Sequence, residues 1–317
     1  MPTATNAVIQ HPADRLLEAF ERCGAPVCVG LDPVVDRLPT AVFGGDVSKA
    51  DAIRRFCLGV LDAIEPFIAC VKLQSACFER FGWPGVSVLH DVLAAARAKH
   101  MAVILDAKRG DIGMTAEHYA AASAYAGADW TTVNGYLGED GIKPFLVPDD
   151  ADSGPRGPGR GMPGFGRGAF VLVRTSNPSG DAFQSLSLQD GRTIAEAMAD
   201  LVAALGARRL GSSGFSNLGA VVGATKRTEI AALRARMPQQ LLLLPGYGAQ
   251  GAGVDDVLPA FRADGRGAIV TASRAVLYPA SATATPPERP TLADWTSPVA
   301  RAAERFRDEI RRGLGRA

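Results

Sequence analysis

Eight short apolar runs recur along the chain, each followed by a stretch with helical periodicity. No other feature constrains the fold as tightly. The runs are 26-PVCVGLD-32, 67-FIACVKLQ-74, 102-AVILDA-107, 129-DWTTVNG-135, 169-AFVLVRT-175, 217-NLGAVVG-223, 241-LLLLPG-246 and 267-GAIVTAS-273. They are nearly continuous rather than alternating, as strands of a parallel sheet covered on both faces must be. Eight such repeats in 317 residues predict an α/β fold of the (β/α)8 TIM-barrel type. With 47% hydrophobic residues, a chain of this length can bury a large core without disulfides or a structural metal.

The intervening helices carry start and stop signals. Asp14 follows Pro12 and precedes Leu16, Leu17 and Phe20, with Gly24 beyond, which reads as an N-cap, an apolar stripe and a stop. Further helices are expected over 49–65, from Pro84 to about His100, over 114–125 and over 192–205. This organisation divides the chain into an N-terminal helical arm (1–25), a barrel (26–279) and a linker with a C-terminal helix (280–317). The last helix is expected to be capped at Ser297, just before Pro298. Residues 148–168, dense in Gly, Pro and Arg, read as an insertion between the fourth helix and the fifth strand.

Charge and cysteine usage exclude several classes. A net charge of +1 gives no global field toward nucleic acid, and the Arg-Gly tract inside the insertion is short. No apolar run is long enough to span a bilayer, and residues 1–15 lack the pattern of a signal peptide. The five cysteines (Cys23, Cys28, Cys57, Cys70 and Cys77) form no C-x-x-C pair and read as reduced thiols, so a cytoplasmic location is expected. No cluster of His and Cys argues for zinc, and His11, His90, His100 and His118 fall on or beside helices.

The chemistry lies at the strand ends. Alternation across a strand puts Cys28, Gly30 and Asp32 on one face of the first run. By the same rule Cys70, Lys72 and Gln74 share a face of the second, and Ile104, Asp106 and Lys108 a face of the third. In each the polar member falls at the C-terminal end, where a barrel of this type carries its active site. Asp32, Lys72, Asp106 and Lys108 therefore surround one mouth, with opposite signs alternating so that each charge has a partner. Asp111 and Thr115 extend the array to Asp-x-Lys-x-x-Asp-x-x-x-Thr. Such an array offers preorganised electrostatics and a cationic proton donor, and it contains no Ser–His or Cys–His pair. At the far end of the chain, 245-PGYGAQGAG-253 and 271-TASRAVLY-278 follow the seventh and eighth runs. Glycine-rich backbone, Gln250, Ser273 and Arg274 there suit a phosphate group. Ser176, in 174-RTSNPSG-180, can hydrogen-bond a polar ring edge.

Taken together, 105-LDAKRGDIGMT-115, 29-VGLDP-33, 71-VKLQ-74, 243-LLPGYGAQGA-252 and 270-VTASRA-275 resemble the orotidine 5'-monophosphate decarboxylase family, in particular its longer bacterial branch. The resemblance covers about 26 to 278. It implies cofactor-free decarboxylation of orotidine 5'-phosphate to UMP and CO2, the last step of de novo pyrimidine nucleotide synthesis. It implies Lys108 as proton donor to C6, Asp106 and Asp111 near the substrate carboxylate, and Lys72 holding Asp106 and touching the ribose. Asp32 would bind a ribose hydroxyl, Ser176 the pyrimidine, and Gln250 and Arg274 the phosphate. It also implies a homodimer in which Asp111 and Thr115 reach the neighbouring subunit's site. One departure is that many members have Gly-Arg where this chain has Ser273-Arg274.

Three alternatives remain at this level. A metal-dependent sugar-phosphate decarboxylase or aldolase of the same superfamily needs an acidic ligand where this chain has Lys72. A Schiff-base aldolase would use Lys108 or Lys72. A non-enzymatic phosphate-ligand sensor could keep the phosphate loop but would have no need of Lys108 between carboxylates.

Overall fold

Each of the eight apolar runs forms a strand, and the strands close in sequence order into one parallel barrel, β1-β2-β3-β4-β5-β6-β7-β8. The computed structural model describes residues 10–146, 167–248, 251–279 and 291–316. The first half runs α1 (Pro12–Cys23), β1 (Val27–Leu31), α2 (Lys49–Ile64), β2 (Cys70–Gln74), α3 (Ser75–Glu79), α4 (Gly82–Ala98), β3 (Ala102–Arg109), α5 (Gly113–Tyr125), β4 (Trp130–Val133) and α6 (Glu139–Ile142). The second runs β5 (Gly168–Arg174), α7 (Asp181–Gln184), α8 (Ile194–Gly206), β6 (Leu218–Val222), α9 (Arg227–Arg236), β7 (Leu242–Pro245), α10 (Val254–Val257), β8 (Ala268–Ala272), α11 (Arg274–Leu277) and α12 (Leu292–Gly313). Closure is made by β1 on β8, with Val27 opposite Val270 and Val29 opposite Ala272. Most of the expected insertion, 148–166, lies outside the described residues.

Two apolar layers hold the barrel. Inside it, Cys28, Cys70, Ile104, Trp130, Phe170, Val221, Leu243 and Ile269 fill the axis. Ala13, Leu16, Leu17 and Phe20 of α1 join this cluster, so the N-terminal helix plugs the end of the barrel from which the strands start. The N-cap of α1 is His11, whose ring accepts the Ala13 N–H, and not Asp14. Asp14 instead accepts the N–H groups of Ser212 and Ser213 at 2.8 and 2.9 Å, tying α1 to the turn before β6. Its carboxylate is held below its ordinary pKa: burial acts the other way, and the hydrogen bonds from Ser213 and Ser212 outweigh it.

The outer layer packs helices on strands, and α12 belongs to it. Trp295, Val299, Ala303, Phe306 and Ile310 are buried in the main core. The helix begins at Leu292 behind a Thr291–Asp294 capping box, so Ser297 is not its cap and Pro298 sits inside it. Proline inside a helix costs about 3 kcal/mol, which the burial of this apolar stripe offsets. The eighth strand is followed by a single-turn helix, α11, and α12 packs against it and α2.

Candidate active site

Three strands deliver the charged array as expected, with one departure. Lys72 of β2 is 5% exposed and Asp106 of β3 is 6% exposed. Lys72 Nζ lies 2.8 Å from Asp106 Oδ2 and 3.5 Å from Asp32 Oδ1. Lys108 Nζ lies 2.6 Å from the other oxygen of Asp106, Oδ1. Asp106 thus bridges two ammonium groups, and Lys72 bridges two carboxylates.

These pairings outweigh the effect of burial on Asp106 and Lys72. Burial would raise the Asp106 pKa, but Lys72 and Lys108 hold it well below the usual carboxylate range. Burial would likewise lower that of Lys72, and Asp32 and Asp106 together push it above the ordinary lysine value. Asp32 lines the cavity, and its buried Oδ1 makes no hydrogen bond among the described residues beyond its ion pair with Lys72.

The departure concerns Lys108. Simple alternation puts it on the same pleat as Asp106, but β3 bulges before reaching it. Leu105 pairs with Thr131 and Arg109 with Val133, so residues 106 to 108 face the single residue Thr132. Lys108 adopts φ 46°, the left-handed region, at a cost of about 1–2 kcal/mol for a residue with a Cβ. The ammonium therefore reaches Asp106 from beyond the regular strand, and its side chain stays 45% exposed toward the mouth.

Two polar neighbours complete this corner: Thr132, which does not stand out in the sequence as a site residue, and Gln74, which shares the inward face of β2 with Lys72. The Thr132 hydroxyl donates to Asp106 Oδ1 at 2.8 Å and accepts the Lys108 N–H at 3.0 Å. The Gln74 amide, turned to satisfy both its ends, donates to the Asp106 carbonyl at 2.6 Å and accepts from Lys108 Nζ at 3.2 Å. The inward face of 129-DWTTVNG-135 is the signal that marks Thr132, since it lies two residues beyond the buried Trp130.

A cavity of about 540 Å³ opens over the array. Ser176 lines it from the loop after β5, and Ser273 and Arg274 line it from the end of β8. Each approach depends on a missing side chain. A Cβ on Gly30 would stand 2.0 Å from Ser273 Oγ, so the glycine of β1 makes room for the serine found here. A Cβ on Gly223 would stand 2.8 Å from the Ser176 backbone. The loop carrying Ser176 is held by Arg174, a buried guanidinium bonded to Glu229 at 2.7 and 2.9 Å and to Gln184 at 3.1 Å. Gln184 passes the restraint on by accepting the Thr175 N–H at 2.9 Å.

On the seventh-strand side, Pro245, Gly246 and Tyr247 line the cavity. Gln250 lies outside the described residues. Asp111 and Thr115 do not line the cavity of their own chain. Asp111 Oδ1 accepts the Ile112 N–H at 2.8 Å, and Thr115 is exposed in the first turn of α5 beside exposed Ile112 and Met114. All five cysteines are free thiols. Cys77 lines the cavity, but burial pushes its thiol up to about 11, so it stays protonated at neutral pH. None of the four histidines lines the cavity.

An eight-stranded barrel with an ordered set of opposite charges at its C-terminal rim defines the class: a TIM-barrel enzyme that works on a small molecule held in that mouth. The comparison with known proteins takes this further. The model of the family described as "Orotidine 5'-phosphate decarboxylase / HUMPS family" matches residues 25–285. The chain belongs to the orotidine 5'-phosphate decarboxylase family, and it is an enzyme of the decarboxylase type, a carbon–carbon lyase. An orotidine 5'-phosphate decarboxylase of Rhodopirellula baltica is 40% identical over 281 residues, covering 84% of this chain and 88% of the relative. One from Deinococcus radiodurans is 41% identical over 281 residues, covering 87% and 90%. The solved structure of Leishmania donovani OMP decarboxylase superposes with a TM-score of 0.71 at 30% identity, covering 96% of this chain and 99% of that one.

Proposed function

We propose that this enzyme converts orotidine 5'-phosphate to UMP and CO2 without a cofactor, completing pyrimidine nucleotide synthesis, with Lys108 as the proton donor. The observation that carries the reading is the pair of ammonium groups on Asp106. One, Lys72, is buried and fixed; the other, Lys108, faces the cavity.

The chemistry asks for such an arrangement. The bond from C6 to the carboxylate carbon breaks, and its electron pair stays on C6 with no conjugated sink. A cation fixed beside C6 stabilises that pair as it forms, and in a water-poor site the effect is larger than in bulk. The Lys108 Nζ–H proton then passes to C6, leaving a neutral amine that water reprotonates. Asp106 holds the ammonium in place and places negative charge near the departing carboxylate.

The remaining residues suit the rest of the nucleotide. Asp32, whose carboxylate lines the cavity, suits a ribose hydroxyl, and Lys72 sits beside it. Ser176 suits the pyrimidine edge. Ser273, Arg274 and Gln250 suit the phosphate, whose binding energy is remote from the reacting carbon and can be spent on closing the site. Asp111 and Thr115, which do not line the cavity of their own chain, suit a homodimer in which each reaches the partner's site. A cytoplasmic location belongs to the same reading.

A metal-dependent decarboxylation is the rival. Lys72, ion-paired with Asp32 and Asp106, stands where that reading needs an acidic ligand, and its charge would repel a divalent cation. The test is the loss of orotidine 5'-phosphate absorbance in excess chelator. Undiminished turnover supports the cofactor-free reading. Loss that divalent ions restore refutes it.

A further inference from the structure

Thr132 is the single residue of β4 that faces three residues of β3, and its hydroxyl uses both of its capacities there. It donates to Asp106 Oδ1, the oxygen that also binds Lys108 Nζ, and it accepts the backbone N–H of Lys108. It is 1% exposed and lines the cavity. Lys108 is thus gripped at both ends. Its ammonium is held through the carboxylate, and its strained backbone through the amide.

From this we propose that Thr132 is a positioning residue for proton transfer, fixing Lys108 in the conformation that aims its ammonium at the reacting carbon. The proposal rests on the assignment of Lys108 as proton donor. A left-handed backbone at a residue with a Cβ persists only where its surroundings over-determine it. The bulge supplies the room, and Thr132 supplies the hydrogen bond that an irregular strand would otherwise lack. Without the hydroxyl, the Lys108 N–H loses its partner and Asp106 loses one of its three donors. The backbone is then free to relax toward the regular pleat, which carries Nζ off its line. The contacts suited to ribose and phosphate lie on other strands and are untouched.

Thr132→Val keeps the shape and removes the hydrogen bonds; Thr132→Ser keeps the hydroxyl. The valine enzyme is expected to lose about 10- to 100-fold in kcat, the scale of a misplaced reacting group, with KM and UMP affinity changed less than about threefold. The serine enzyme is expected to recover most of that loss. If valine prevents folding, Thr132→Ala gives the same comparison against serine. A valine or alanine enzyme with near-parental kcat, beside an inactive Lys108→Ala, overturns the role of Thr132 and leaves that of Lys108 standing. A fall in kcat that serine does not restore, or that UMP affinity follows in step, also overturns it. An active Lys108→Ala removes the reading on which the proposal rests.

Discussion

At the residue scale, the strain at Lys108 can be separated from the loss of its charge. Lys108→Ala and Lys108→Gly both remove the ammonium, but only glycine adopts φ 46° freely. The glycine variant is expected to be more stable than the alanine variant by about 1 kcal/mol in urea denaturation. Equal stabilities would mean the left-handed backbone carries no strain. Asp106 has its own signature. Its pKa is depressed in the folded state, so its contribution is complete above the unfolded value near pH ~4 and is lost as pH falls further. Lys72 is shifted upward, so its contribution is complete below pH ~10.5 and is lost as pH rises through the folded value. Between these limits neither group titrates. Removing the carboxylate leaves Lys72 buried beside Asp32 alone, and Asp106→Ala is expected to cost about 3–5 kcal/mol. Its stability should no longer show the acid-side loss that Asp106 causes, and an unchanged acid limb would assign that loss to other carboxylates. The charged residues were legible in the sequence because polar side chains at the ends of apolar runs stand out. The geometry of Lys108 was not, because the bulge arises from pairing between two strands. Thr132 was hidden for a related reason: threonine is an ordinary strand residue, and only its place opposite the bulge distinguishes it.

The strands themselves were legible at the level of elements, since long apolar runs with intervening helices leave few alternatives. The boundaries that failed did so where one local signal outranked another. Phe67 donates to Ile64 in a turn, so the second run becomes a strand only at Cys70. Pro298 imitates the first residue of a helix, yet Thr291 and Asp294 form the cap and the apolar stripe carries the helix through the proline. That helix supports the mouth from behind. Trp295 stacks on Phe56 at 5.2 Å, and Phe56 stacks on Tyr278 at 5.7 Å. The Tyr278 hydroxyl accepts the N–H of Val34, two residues from Asp32, at 2.8 Å. Farther along, Phe306 meets Tyr247 of the glycine-rich loop at 5.4 Å. Trp295→Ala is expected to cost about 3–5 kcal/mol, as buried aromatic deletions do. Less than about 1 kcal/mol would show α12 to be only loosely attached to the barrel.

At the scale of the whole molecule, the proposed homodimer can be tested. If Asp111 completes the partner's site, two inactive variants can repair each other. A dimer of one Lys108→Ala chain and one Asp111→Ala chain holds one site with both changes and one with neither. Random reassociation of an equal mixture makes half the dimers mixed, so about a quarter of parental activity is expected to return. No recovery from verified mixed dimers would place Asp111 in its own chain's site. The exposed Ile112 and Met114 beside it fit a surface that a second copy covers. Sequence made the exposed array legible here, but a single chain cannot display what completes it. The most direct measurement is the turnover of orotidine 5'-phosphate by Lys108→Ala together with its affinity for UMP. With Lys108 as the proton donor, kcat falls by at least about a thousandfold while UMP binding stays within about tenfold of the parent. Turnover within about tenfold of the parent enzyme would contradict it.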